Sequence, residues 1–197
     1  MTTPPTSLTP AASLPRYTML GHEVHALTQQ DLLAYVSDAI AHQQRLRINH
    51  LNLHGLYVAQ KSASFTTMIH EADLLYIDGM PLVWIGRLLG HPLARQHRIT
   101  GIDWLPPLLQ QASDQQWKVF LLGHHPDTLP RIEELIRQTY PGIQFDCHHG
   151  YFSEQDNAAL VARINRFAPQ LLILGMGMPR QESWLHAHQH ELSFNVS

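Results

Sequence analysis

The sequence predicts an α/β fold, a single Rossmann-like domain with a mostly parallel sheet flanked by helices. Two observations carry this. From Tyr17 onward short apolar runs alternate with segments of helical period, as expected for right-handed strand–helix–strand crossovers. Three of the strand-like runs also end in Gly or Asp-Gly, where a chain turns into the next helix. No internal repeat or linker divides 17–197, and 197 residues with 44% hydrophobic content suffice for one buried core.

The elements follow in order. Residues 1–16 are rich in Thr, Ser and Pro without an apolar period, and they read as a disordered lead-in rather than a signal peptide. Thr28 with Asp31 forms an acidic capping box for a helix whose Leu32, Leu33, Val36 and Ile40 recur at helical spacing. Leu46 to Leu53 reads as a strand, followed by a helical region through Tyr57 and Met68. Leu74 to Ile77 is a buried strand that stops at Asp78-Gly79, and a helix runs from about Pro81 to Leu89, with proline in its first turn and Gly90 beyond its end. Between Gly90 and Lys118 no element is assigned. Lys118 to Leu122 is a strand stopping at Gly123, Pro126 to Tyr140 is helical, and Ile143 to Cys147 is a further strand. Ser153 to Asp156 starts a helix ending near Ala168-Pro169. Leu171 to Leu174 is the clearest strand and runs into Gly175-Met176-Gly177-Met178-Pro179. A last helix spans Arg180 to Glu191, and Phe194-Asn195-Val196 look like the start of another strand.

Composition excludes several classes. A formal charge of -3 does not suit a protein that neutralises many phosphates, so no nucleic-acid partner is expected. No cluster of Lys and Arg stands out along the chain, which predicts weak binding to anionic vesicles. The single cysteine, Cys147, excludes an intramolecular disulfide and any CxxC site, which fits a reducing cytosol. The longest strongly apolar run, Leu171 to Met178, is far short of the roughly 20 residues of a spanning helix.

In an open parallel sheet, ligands bind beyond the carboxyl ends of the strands. Four groups fall there: His50-Leu51-Asn52; Asp78; Gly123-His124-His125-Pro126; and Gly175 to Glu182. The glycines of the last loop permit close backbone approach, and the following helix start suits an anion such as a diphosphate. Each group also has a structural reading. Asp78 is a natural turn residue before Gly79, Asn52 can satisfy nearby backbone groups, and glycines are common at strand ends. The loop is not a Walker loop, and the GxGxxG of dinucleotide enzymes is absent. His186 and His190 share a helix face, but no third metal ligand is predictable, so no metal site is assigned.

The stretches Leu51-Asn52, Tyr76 to Trp84, Arg98 to Asp103, Val119 to Gly123, His149 to Phe152 and Gly175 to Glu182 occur in that order. Together they resemble the WecB/TagA/CpsF family of glycosyltransferases (glycosyltransferase family 26), from about Gly21 to Val196. The resemblance implies inverting transfer of a sugar from a UDP-sugar donor to a polyprenyl-diphosphate-linked lipid acceptor. This would occur at the cytoplasmic membrane face, in bacterial surface polysaccharide, teichoic acid or exopolysaccharide synthesis. It implies no cofactor and no essential divalent metal, leaves the sugar open, and makes a homo-oligomer an expectation.

Carried onto this chain, the resemblance makes Asp78 the catalytic base and Asn52 an active-site asparagine. Arg98 becomes a diphosphate-contacting arginine and Gln181 the glutamine of a Pro-x-Gln-Glu motif. His50 stands where many members have threonine. His50, Gly123, Gly175 and Gly177 complete the expected substrate-binding set. The resemblance also implies a Gly-Gly strand-loop and a basic segment following Ser197, so 17–197 reads as a C-terminally shortened glycosyltransferase domain. The competing reading is a non-catalytic or degenerate nucleotide-sugar-binding module.

Overall fold

The computed structural model describes residues 14–197, so the expectation of disorder falls outside the described residues except at its last three positions. There the chain is already ordered: Arg16 opens the first strand and the Pro15 carbonyl accepts from Ala26 N–H. Among the described residues there are seven strands and eight α-helices. They are β1 (Arg16–Met19), β2 (His22–His25), α1 (Gln29–Ala41), β3 (Ile48–Leu51), α2 (Leu53–Lys61), α3 (Ala63–His70), β4 (Leu74–Ile77) and α4 (Met80–Leu88). After them come α5 (Gly101–Asp114), β5 (Lys118–Gly123), α6 (Leu129–Thr139), β6 (Gln144–His148), α7 (Asn157–Phe167), β7 (Leu171–Gly175) and α8 (Arg180–His188).

The strands form two sheets, ordered β1-β2-β4-β3 and β6-β5-β7, parallel throughout except for the β1–β2 hairpin. Residues 195–197 join them. Leu46 and Ile48 N–H donate to the Asn195 and Ser197 carbonyls, and on the other side Leu172 N–H donates to Val196 O while Val196 N–H donates to Gln170 O. The expected final strand is therefore the seam that makes one continuous sheet of the two.

Strand alternation explains the layers. Leu74 and Tyr76 of β4, with Val119 and Leu121 of β5, pack on one face with α1, α5 and α6. Leu75 and Ile77 turn to the opposite face under α2, α3 and α4, and Phe120 and Leu122 turn there under α7 and α8. Cys147 is buried against Glu133, and burial, with that carboxylate beside it, pushes its thiol up to about 12.

Three elements differ from the sequence reading. The hairpin turn uses Leu20 and Gly21, both at positive φ, a tight turn that aligns the two strands. The helical region after β3 breaks at Ser62, which ends α2 and caps α3 through Phe65 N–H. Helix α5 occupies the unassigned stretch even though Pro106 and Pro107 lie within it. Its start is fixed by Thr100 and Asp103, and its Leu108, Leu109 and Ala112 face is buried.

Candidate functional site

The carboxyl ends of β3, β4, β5 and β7 converge on a cavity of about 390 Å³ where the two halves of the sheet meet. Leu108, Leu121, Ile136 and Phe145 contribute to an apolar wall, and His50, Asp78, His124, Gln181 and Glu182 contribute polar groups.

Asp78 follows directly on β4, and its backbone N–H donates to Leu51 O, which fixes it beside the end of β3. The next residue, Gly79, has φ 97°, a left-handed value that lets the chain turn at once into α4. Asn52 uses both ends of its amide. Its oxygen accepts from Gly55 N–H at 2.8 Å and caps α2, and its nitrogen donates to Asp78 Oδ2 at 3.0 Å. The turn, capping and active-site readings of these two residues are thus compatible. His50 Nε2 lies 3.9 Å from the same oxygen. Burial lowers the His50 pKa, and the neighbouring Asp78 charge opposes that shift.

Tyr76 stands behind them, its ring 5.8 Å from His50 and edge-on to Trp104. Burial drives its phenol pKa upward, so it is a neutral wall. Sequence reasoning missed Tyr76 and Trp104 as cavity residues. The Tyr76–Asp78 alternation along β4 carried the signal for Tyr76, whereas Trp104 depended on the unassigned α5.

The glycines are placed by close approach. Gly123 and Gly175 are paired across β5 and β7, and a Cβ on Gly123 would strike the Gly175 backbone. His124, at φ 65°, donates its N–H to Gly175 O and also lines the cavity. Gly177, at φ 80°, donates its N–H to Gln181 Oε1 at 3.1 Å, and Gln181 Nε2 donates to Glu182 Oε1 at 2.9 Å. Gln181 therefore holds the loop before α8 as well as facing the cavity. Glu182 is buried, its Oε2 has no hydrogen-bond partner, and burial raises its pKa.

The structure brings His50, Asn52, Asp78, Gly123, Gly175, Gly177 and Gln181 to one edge of the sheet. Arg98 sits differently. Its guanidinium pairs with Asp103 at 2.8 Å, and Asp103, which also accepts from Thr100 Oγ1 at 2.7 Å, has its pKa lowered first by that hydroxyl and also by Arg98. Gly101, three residues on, lines the cavity, so Arg98 is near the site but committed to the start of α5. The helical histidines are likewise engaged, His186 with Glu71 at 3.0 Å and His188 with Glu191 at 3.3 Å.

The chain matches the model of the glycosyl transferase WecG/TagA/CpsF family over residues 17–197. It is also similar to enzymes named N-acetylglucosaminyldiphosphoundecaprenol N-acetyl-beta-D-mannosaminyltransferase from Staphylococcus aureus strains NCTC 8325 / PS 47, COL and MRSA252. Each is 35% identical over 133 residues, covering 68% of this chain and 51% of the relative. The chain thus aligns with about half the length of these curated relatives. With the ordered strand-end residues and the α/β fold, the match over nearly the whole described chain establishes that this protein belongs to the WecG/TagA/CpsF family of glycosyl transferases.

Proposed function

We propose that this protein is an inverting glycosyltransferase that moves a sugar of the N-acetylmannosamine type from a UDP-sugar to a polyprenyl-diphosphate-linked acceptor. The sugar and acceptor classes follow the relatives' names. The observation that carries the reading is the Asp78 carboxylate, oriented by Asn52 at 3.0 Å, with His50 at 3.9 Å, in the wall of a strand-end cavity that also presents Gln181.

The chemistry is a single displacement. The acceptor hydroxyl attacks the anomeric carbon while Asp78 takes its proton; the bond from that carbon to the diphosphate oxygen breaks, and UDP leaves with the bonding electrons. Charge growing on the diphosphate is met by the N–H groups at the start of α8. Arg98 joins them only when its Asp103 ion pair opens. No helix among the described residues is long and apolar enough to cross a membrane. The lipid-linked acceptor in the relatives' name supports a peripheral position on the inner face of the cell membrane.

The second reading, a non-catalytic nucleotide-sugar-binding module, draws on the engagement of Arg98 and Gln181 with protein partners. Thermal unfolding with added nucleotides tests the donor class. UDP is expected to raise the unfolding temperature, because a ligand that binds only the folded state stabilises it. Protection by NAD with none by UDP would overturn both readings.

A further inference from the structure

The first turn of α8 carries a carboxyl that the fold leaves half-paired. Glu182 is 5% exposed, and its Oε2 has no hydrogen-bond partner among the described residues. Arg47 and His186 share a small neighbouring cavity with it, but both are committed elsewhere. Arg47 is held by Asp73 at 3.5 Å and by Gln189 Oε1 at 2.7 Å, and His186 by Glu71 at 3.0 Å. The N–H groups of the helix start favour negative charge at this place. A carboxylate stripped of water and without a counter-ion is destabilising all the same, and its raised pKa reflects that burial.

The side chain that Glu182 does hold is Gln181. A carboxylate oxygen only accepts, so Glu182 Oε1 turns the Nε2 end of the Gln181 amide toward itself, at 2.9 Å. On the other side Gly177 N–H only donates, and it meets the Oε1 end of the same amide at 3.1 Å. Both neighbours therefore demand one orientation of the amide. The Gln181 backbone N–H closes the ring by donating to Gly177 O at 3.1 Å. With one N–H given to Glu182, Gln181 Nε2 keeps a second, in a side chain that lines the cavity.

We propose that Glu182 is a positioning residue, whose carboxylate locks the Gln181 amide so that it meets the anionic diphosphate of the donor with an N–H and not with its oxygen. The proposal rests on the UDP-sugar reading given above. An amide turned over would set its oxygen against the diphosphate and its NH₂ against Gly177 N–H, so one flip would lose both the ligand contact and the loop contact. Glu182 itself is no partner for the diphosphate, since two anions repel. Its half-paired burial costs stability and orders the residue that touches the ligand, a trade found where a site is held in one arrangement.

Two variants test this. Glu182→Met keeps the length of the side chain and removes both oxygens, whereas Glu182→Gln keeps one oxygen that can accept from Gln181. The readouts are thermal unfolding without ligand, UDP binding by titration calorimetry, and hydrogen exchange of the Gly177 amide. Near neutral pH, Glu182→Met is expected to unfold no lower than wild type, because a buried, half-paired charge is gone. It should bind UDP about fivefold more weakly and exchange the Gly177 amide about tenfold faster, through the lost hydrogen bonds. Glu182→Gln should return both to within about twofold of wild type. A merely structural carboxyl would lower the unfolding temperature and weaken UDP only in step with it, and that result overturns the proposal. Unchanged UDP affinity in Glu182→Met also overturns it. If wild type itself fails to bind UDP, the donor reading falls and Gly177 exchange decides alone. Exchange faster in Glu182→Met and restored in Glu182→Gln then keeps Glu182 as the residue that orients Gln181, and equal exchange in all three removes it.

Discussion

Asn52 and Asp78 form the smallest unit of the proposed site, since one amide both caps α2 and holds the carboxylate. Asn52→Ala is expected to destabilise the fold by about 1 kcal/mol through the lost cap. It should also lower transfer more than it weakens UDP binding, because it frees Asp78 to leave its position; urea unfolding and paired kinetics separate the two effects. Gly123 is a different kind of residue, required for its absence of a side chain. Gly123→Ala forces a methyl group into the Gly175 backbone and should cost about 3 kcal/mol, read as a lower urea midpoint. Asp78, Gly123 and Gly175 were legible in the sequence because each ends a short apolar run, and Asn52 because it lies near the end of one. The commitment of Arg98 to Asp103 was not, because a pairing across five residues at an unassigned helix start leaves no periodic mark.

The elements show where local rules suffice. Helix α1 opens with the expected capping box, Asp31 N–H donating to Thr28 Oγ1 at 3.2 Å and Thr28 N–H to Asp31 Oδ2 at 2.9 Å. Thr28→Ala should cost about 1 kcal/mol and leave UDP protection intact, which thermal unfolding with and without UDP would check. Strand β4 was read with its observed bounds because four consecutive apolar residues meet an Asp-Gly stop. Helix α5 escaped notice because its proline pair resembles a breaker. It is held by tertiary burial of Leu108, Leu109 and Ala112, which a local pattern does not report. The β1–β2 hairpin escaped for a related reason, since Leu20 is an unusual residue to take a positive φ in a tight turn.

At the scale of the whole molecule, one continuous sheet places the strand ends of both halves around a single cavity, and the seam at 195–197 is what aligns them. Buried histidines tie this architecture to pH. The pKa values of His22, His25 and His50 are all lowered from 6.5, chiefly by burial, with His70 adding to the effect at His22 and Arg16 at His25, while Asp78 opposes it at His50. Below 6.5 the unfolded chain takes up protons before the folded one, so stability present above that value is lost as pH falls through the lowered folded values. Glu182 acts in the opposite sense, its raised pKa favouring the fold at low pH and withdrawing that contribution as pH rises above 4.5. With these three histidines and His97, whose pKa burial also lowers, against one carboxyl, the unfolding temperature should fall between about pH 7.5 and about pH 5.5. An unchanged temperature over that interval would show the histidines reaching solvent in the folded state.

The most direct measurement is sugar transfer from a UDP-sugar to a prenyl-diphosphate-linked N-acetylglucosamine by wild type and by Asp78→Asn. Asparagine keeps the size of the side chain and still suits the turn before Gly79, but it cannot accept the proton. The account predicts UDP protection unchanged and transfer lowered by roughly 10²–10⁴-fold. Near-normal transfer by Asp78→Asn would contradict it and reduce Asp78 to a turn residue.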